Sequence, residues 1–188
     1  MGEKAITRRY SLKEYLQLER QAETRHEFHR GEVFAMAGGT INHGRVSVNL
    51  LTELNIATRG TSCSTFNGDV KIEVSSGERY LYPDASVVCG PVETSNQTEH
   101  AITNPVLIAE VLSESTEAYD RGAKFLYYQQ LRSFREYLLL DQRSPIATHY
   151  WRNEDAVWEM RTYLGLESTI PLKSLDLSLS MAELYRDA

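Results

Sequence analysis

Basic charge, cysteine and long apolar runs are all scarce in this chain. Asp and Glu number 26 against 20 Lys and Arg, giving a net charge of −6. That balance argues against a general phosphate-coating binder, which carries a basic surface and gains affinity by counterion release. It leaves room for an enzyme acting on nucleic acid, because an acidic metal-binding pocket needs only local basic flanks. The two cysteines, Cys63 and Cys89, each fall in a strand-like run. They are expected to be buried free thiols, since a zinc site needs more ligands than are in view. The five histidines show no metal-ligand spacing. Neither a Gly-x-Ser-x-Gly elbow nor a phosphate-binding glycine loop is present, so acyl transfer and nucleotide-driven chemistry have little support. Residues 1–6 hold no apolar signal core, and no stretch reaches the roughly 20 apolar residues of a membrane span. A cytoplasmic protein without a membrane partner is expected.

What is present is ordinary globular material. With 188 residues, 41% hydrophobic and 24% charged, the chain is expected to form a single domain over residues 1–188 with a substantial core. Ser11-Leu12-Lys13-Glu14 is a capping box opening a helix to about residue 22. Residues 27–36 read as a hairpin turning at Arg30-Gly31. Val46, Val48, Leu50, Leu51, Leu54 and Ile56 fit a well-buried helix over 42–58. Strands are expected at 62–66 and 69–75, around the hairpin or bulge signal Asn67-Gly68, and again at 80–89, 106–112 and 136–141. The polar stretch 90–104 reads as a mobile surface loop. A helix is expected over 116–131, then an aromatic hairpin over 147–152 and 156–163. A strand at 175–179 and a second capping box, Ser180 to Glu183, close the chain. The order predicts an α+β fold, a mixed sheet flanked by helices.

Two acids sit awkwardly in this pattern: Asp84 in Tyr82-Pro83-Asp84-Ala85-Ser86-Val87, and Glu110 in Leu107-Ile108-Ala109-Glu110-Val111-Leu112. An unpaired charge in a buried strand costs several kcal/mol or becomes neutral. If the two strands are neighbours, a divalent cation is the simplest shared partner. Alternation puts Asp84 with Ser86 and Glu110 with Leu112, while Ala85, Val87, Ala109 and Val111 point away. Paired carboxylates suit Mg²⁺ or Mn²⁺ together with water and phosphate oxygens. A nearby ammonium would stabilise charge developing on a phosphorane. Lys124 is the preferred cation and Lys71 the runner-up.

Tyr82-Pro83-Asp84, Glu110-Val111-Leu112-Ser113-Glu114-Ser115-Thr116 and Tyr119-Asp120-Arg121-Gly122-Ala123-Lys124 with Tyr127-Tyr128 closely resemble the putative restriction endonuclease family of the PD-(D/E)XK nuclease superfamily. Arg25-His26-Glu27-Phe28, Gly31-Glu32-Val33, Asn42-His43 and Glu136-Tyr137-Leu138-Leu139-Leu140-Asp141 extend the likeness over roughly residues 10 to 185. The resemblance implies a restriction-endonuclease-like core, here with an added C-terminal hairpin, and a metal-dependent endonuclease acting on DNA. Asp84 and Glu110 would bind Mg²⁺ or Mn²⁺, Lys124 would complete the catalytic set, and Glu27 and His43 would assist. One departure stands out: the usual lysine two residues beyond the second acid is here Leu112, and Lys124 on the following helix matches the family's displaced lysine.

Each candidate has a plainer alternative. Lys124 also fits an i,i+4 pair with Asp120 on a solvated helix face. Asp69 fits turn chemistry, Ser113 fits a helix cap, and Glu27 and His43 fit a surface charge and a packing histidine. Tyr150, Trp151 and Trp158 suit base stacking, or more readily core and subunit contacts of a homodimer. The alternative function is a catalytically inactive nucleic-acid-binding or accessory protein on the same fold. A purely structural homodimer would leave the acids and Lys124 apart.

Overall fold

The chain passes between two sheets five times, and two of those crossings, at residues 67–71 and 81–85, lie beside Asp84. The structure, a computed structural model, describes residues 8–36 and 38–188; residues 1–6, read above for a signal core, lie outside them. Ser11 and Glu14 form the expected capping box and open α1 (Leu12–Gln21). The hairpin β1 (His26–His29) and β2 (Glu32–Ala35) follows. Its two turn residues, Arg30 and Gly31, take φ of 47° and 92°, the left-handed pair that matches strand twist in a two-residue hairpin.

Thr40 caps α2 (Ile41–Ala57) by accepting from the His43 N–H. Val46, Leu50 and Leu54 recur every four residues and form its buried stripe. Val48 and Ile56 were expected inside with them but are 58% and 49% exposed. Each lies two residues from a stripe member, on the opposite side of a 3.6-residue helix.

Next come β3 (Cys63–Asn67), β4 (Lys71–Val74), β5 (Arg79–Leu81), β6 (Ala85–Cys89), β7 (Ala101–Ile102) and β8 (Leu107–Leu112). Asn67-Gly68 is not a hairpin. β3 pairs with β6 in a six-stranded sheet, while β4 pairs with β5 in a five-stranded one. A Cβ on Gly68 would sit 3.3 Å from the Pro83 carbonyl, so glycine lets the two crossings pass closely. The expected strand 80–89 is likewise split at Tyr82-Pro83-Asp84, where the chain changes sheets.

The five-stranded sheet has the order β2-β1-β5-β4-β7, and the six-stranded sheet β11-β10-β9-β8-β6-β3. The latter uses β9 (Glu136–Asp141), β10 (Ile146–Arg152) and β11 (Trp158–Leu164), the last two being the expected aromatic hairpin. β12 (Thr169–Leu172) was not foreseen; it pairs with β13 (Leu177–Ser180) ahead of α5 (Met181–Leu184). Ser180 stands at the α5 N-cap, but without a side-chain hydrogen bond. The segment 90–104 contributes β7, and Thr94 bridges to Ile102.

The expected helix over 116–131 is broken into α3 (Glu117–Tyr119), a π-helical segment (Asp120–Lys124) and α4 (Phe125–Tyr128). This is a mixed α+β fold. One core lies between α2 and the six-stranded sheet; a second joins the two sheets to Tyr128, Leu131 and Phe134; a third packs Tyr15 of α1 on Phe28 and Tyr80. Among the described residues no helix is long and apolar enough to cross a membrane.

The cysteines are not free thiols. The β3–β6 register sets Cys63 opposite Cys89 and the two form a disulfide. Both had been placed in strands, but sequence did not show that the strands were partners.

Candidate active site

Asp84 and Glu110 meet because β6 and β8 are neighbours. Ala85 lies opposite Ala109 in an antiparallel pair, and one further step brings Asp84 level with Glu110. Backbone hydrogen bonds lock that register: the Val111 N–H donates to Asp84 Oδ2 at 2.7 Å, and the Asp84 N–H to Glu110 Oε2 at 3.4 Å. Ala85, Val87, Ala109 and Val111 enter the core beneath α2. Alternation therefore turns Glu110 to the other face, toward the interrupted helix. Leu112 also turns that way and joins the apolar core between the sheets, so it is a packing residue.

The cation arrives from the π-helical segment. Lys124 Nζ lies 2.9 Å from Glu110 Oε1, 3.3 Å from Glu27 Oε1 and 3.5 Å from Asp120 Oδ1. It also donates to the Tyr82 carbonyl at 3.4 Å. The Asp120–Lys124 pair foreseen on a solvated face is present but buried. A π-helical turn takes one extra residue, widens the helix locally and is frequent at functional sites. Here it keeps both Asp120 and Lys124 turned inward.

Glu27 comes from the opposite sheet. Its Oε1 accepts the Tyr82 N–H at 3.0 Å and its Oε2 the Tyr119 hydroxyl at 3.4 Å. His43, in the first turn of α2, places Nε2 3.5 Å from Asp84 Oδ2. All five expected residues are thus gathered at the junction of the two sheets. Lys71 is not among them; it faces α1. Asp69 binds Arg25 at the surface, and Ser113 accepts the Thr116 N–H at the helix entry. Tyr150 and Trp158 pack on Phe125, with centroids 4.6 and 5.1 Å away, and Trp151 lies against His149. The aromatic hairpin is therefore spent largely on the core.

Two members were not singled out from sequence. Asp120 is a third acid around Lys124, and the Tyr128 hydroxyl donates to Glu110 Oε1 at 3.2 Å. Their signal was spacing, since they stand four residues either side of Lys124 and share its inward face.

Charge is unbalanced here. Three buried carboxylates share one buried ammonium, and Asp84 lies alongside. Burial, reinforced by Asp120 and Asp84, holds the Glu110 carboxyl well above the usual carboxylate range despite Lys124. Burial pulls Lys124 down, but Glu110, Glu27 and Asp120 together outweigh it and hold the ammonium firmly charged. Asp84 raises the His43 pKa more than burial lowers it.

Not every carboxylate oxygen of the two acids is taken up by the protein. Glu110 Oε1 is occupied by Lys124 and Tyr128, while its Oε2 receives only the long Asp84 N–H contact. Asp84 Oδ2 is taken by Val111, leaving Oδ1 without a partner among the described residues. Each acid therefore keeps an oxygen for a ligand, and Asp84, 25% exposed, opens to solvent. Among the described residues no group of three or more His, Cys, Asp and Glu side chains forms a metal cage. Two carboxylates, with remaining positions left to water and phosphate oxygens, fit a hard, oxygen-bound divalent cation.

Known proteins resemble this chain in sequence and in fold. The chain is 38% identical over 176 residues to the uncharacterized protein slr1290 of Synechocystis sp., covering 94% of this chain and 91% of that one. It is 34% identical over 166 residues to sll1609 of the same organism, covering 88% and 94%. A crystal structure described as a putative nuclease belonging to DUF820, from Anabaena variabilis, superposes with a TM-score of 0.74 at 16% identity, covering 94% of this chain and 97% of that one. At that identity the likeness shows the fold, a restriction-endonuclease-like one. Residues 12–182 match the family described as "Uma2: Putative restriction endonuclease", and the chain belongs to that family.

Proposed function

We propose that this protein is a Mg²⁺- or Mn²⁺-dependent endonuclease that hydrolyses phosphodiester bonds in DNA. The observation that carries the reading is the convergence of Lys124 on Glu110 and Glu27 beside Asp84, in a pocket with more acid than its one ammonium balances. Asp84 and Glu110 would hold the metal through Asp84 Oδ1 and Glu110 Oε2. When bound, such a metal polarises a phosphodiester and lowers the pKa of its water.

The chain's own groups do the rest. Lys124, fixed by three carboxylates, presents a permanent positive charge where negative charge develops on the phosphorus oxygens. Glu27 positions Lys124 and, through the Tyr82 amide, the crossing that carries Asp84. Tyr128 orients Glu110. His43 holds a proton at Nε2 against Asp84 Oδ2, next to the oxygen that would be left for a metal.

The catalytically silent module on the same fold predicts no need for this oxygen pair. Wild type and Asp84→Ala, incubated with Mg²⁺ or Mn²⁺ on supercoiled, linear and single-stranded DNA, separate the two. Cleavage by wild type alone is expected, and equal cleavage by both proteins contradicts the assignment. We also propose a homodimer joined along the edge strand β11, where Met160 and Leu164 are exposed. Light scattering that gives a monomer mass at micromolar concentration contradicts that association.

A further inference from the structure

Lys71 is as buried as Lys124, at 6% residual exposure, yet its ammonium has no carboxylate partner. It lies 5.6 Å from the Tyr15 ring centroid and 5.8 Å from that of Tyr82. Its ammonium makes no ion pair among the described residues, but its nitrogen is not sealed from solvent. The nearest acid, Glu19, is otherwise engaged: its oxygens accept the Tyr82 hydroxyl at 2.9 Å and the His26 N–H at 3.1 Å, and contact the His26 ring. Arg20 adds a second positive charge nearby and makes no ion pair of its own among the described residues. Burial first, and then Arg20, hold Lys71 below the usual lysine value against the opposing pull of Glu19.

Lys71, Glu19, Arg20 and Tyr82 line a cavity of about 370 Å³, with Arg25, Thr98 and His100 on its wall and Glu23 as its second acid. Lys71 buries its stem and presents a hydrated ammonium to the cavity, where an anion would replace water as its acceptor.

The cavity stands next to the acids. Phe28 pairs with Tyr80, Ile72 with Leu81 and Lys71 with Ala101, so His26, Tyr82, Lys71 and Ala101 form one row across an end of the five-stranded sheet. Tyr82 links the two places. Its amide donates to Glu27, its carbonyl accepts from Lys124, and its ring faces Lys71 and, at 5.9 Å, Arg25. Arg25 in turn donates to the Gly68 carbonyl, and a Cβ on Gly68 would lie 3.8 Å from Asp84 Cα.

We propose that this cavity is a phosphate subsite, in which Lys71 and Arg20 receive a backbone phosphate of the same nucleic-acid strand whose reacting phosphate lies at Asp84 and Glu110. This rests on the nuclease reading above and adds to it the place where the flanking strand is held. The strand passes the sheet end at Tyr82 and Arg25 and sets one phosphate on each side of them.

The test is equilibrium binding of a fluorescent DNA oligonucleotide, followed by anisotropy from low to high NaCl, for wild type, Lys71→Met, Lys71→Arg and Arg20→Gln. Lys71→Met is expected to weaken binding about tenfold, the worth of one charge-assisted hydrogen bond. It should also reduce the slope of log K against log salt by about one. Lys71→Arg should retain most of the affinity. Arg20 is exposed, so Arg20→Gln keeps the test informative if the core variant fails to fold; a smaller loss with a similar slope change is expected.

Wild-type binding that neither Lys71→Met nor Arg20→Gln alters overturns the subsite and leaves the nuclease reading standing. Absence of any wild-type binding overturns both. In a parallel arm, inorganic phosphate is added to wild type and Lys71→Met and their melting temperatures are read. Stabilisation of wild type alone, with oligonucleotide affinity unchanged by the substitution, would assign the cavity to free phosphate and overturn the strand subsite.

Discussion

Two buried lysines, Lys124 and Lys71, stand on opposite sides of Tyr82 and obey opposite electrostatics. Lys124 is ringed by Glu110, Glu27 and Asp120 and is held above its ordinary pKa by them. Lys71 lies between two tyrosine rings and is held below it by burial. The first completes a site with surplus acid, which suits a cation; the second leaves a cavity with an unanswered ammonium, which suits an anion. A phosphodiester bound through a metal needs both kinds of surface.

The largest expected difference is catalytic. Lys124→Met should lower the cleavage rate by about 10² to 10³ under saturating metal, whereas Lys71→Met should act chiefly through substrate affinity. Next is stability. Removing Lys124 leaves three buried carboxylates without a counter-charge and should cost about 3–5 kcal/mol in urea unfolding at pH 8. Removing Lys71 deletes a charge that lacks an ionic partner, and should change stability by no more than about 1 kcal/mol. Equal losses in the two variants would break the comparison.

Metal linkage should be smaller. Mg²⁺ at about 100 times its Kd should add about 2.7 kcal/mol to wild type and nothing to Glu110→Gln. That variant should gain about 1 kcal/mol when metal-free, because the buried carboxyl no longer has to ionise. Calorimetry with and without Mg²⁺ reads both effects.

The two lysines should also respond oppositely to alkaline pH. Lys71 has a lowered folded pKa, so the folded state is penalised while it is charged, and this penalty fades as pH rises toward the ordinary value of 10.5. Lys124 has a raised folded pKa, so its contribution is fully present below 10.5 and is lost only as pH rises through that higher value. Between pH 8 and 10, wild type should gain stability relative to Lys71→Met and hold its advantage over Lys124→Met. The smallest effect concerns His43. Its raised pKa places its titration above 6.5, and its proton competes with metal for Asp84. Mg²⁺ affinity should therefore rise with pH in that window for wild type and be flatter in His43→Gln.

Much of this arrangement was legible in the sequence because its cues are local. The Ser11 capping box, the Arg30-Gly31 turn and the apolar runs around Glu110 and over 136–141 depend on neighbours within a few residues. So did the two acids, which conflicted with their own strands. What stayed hidden depended on which strand meets which. Asn67-Gly68 looks like a hairpin, but the partners of β3 and β4 lie in different sheets. Cys63 and Cys89 gave no sign of facing each other. The helix carrying Lys124 has unbroken helical sequence, and its π-helical turn arises where Asp120 and Lys124 both turn inward. Lys71 was weighed only as a substitute for Lys124, because a linear reading could not show that Tyr82 stands between them.

The most direct test is the single-turnover cleavage rate of Lys124→Met against wild type, on one DNA substrate with saturating Mg²⁺ and with binding of each protein measured in parallel. A rate reduced by about 10² to 10³ with the variant still bound to DNA is predicted. Wild-type cleavage at the same rate as the variant would contradict the assignment of Lys124 to the chemistry, and with it the nuclease site described here.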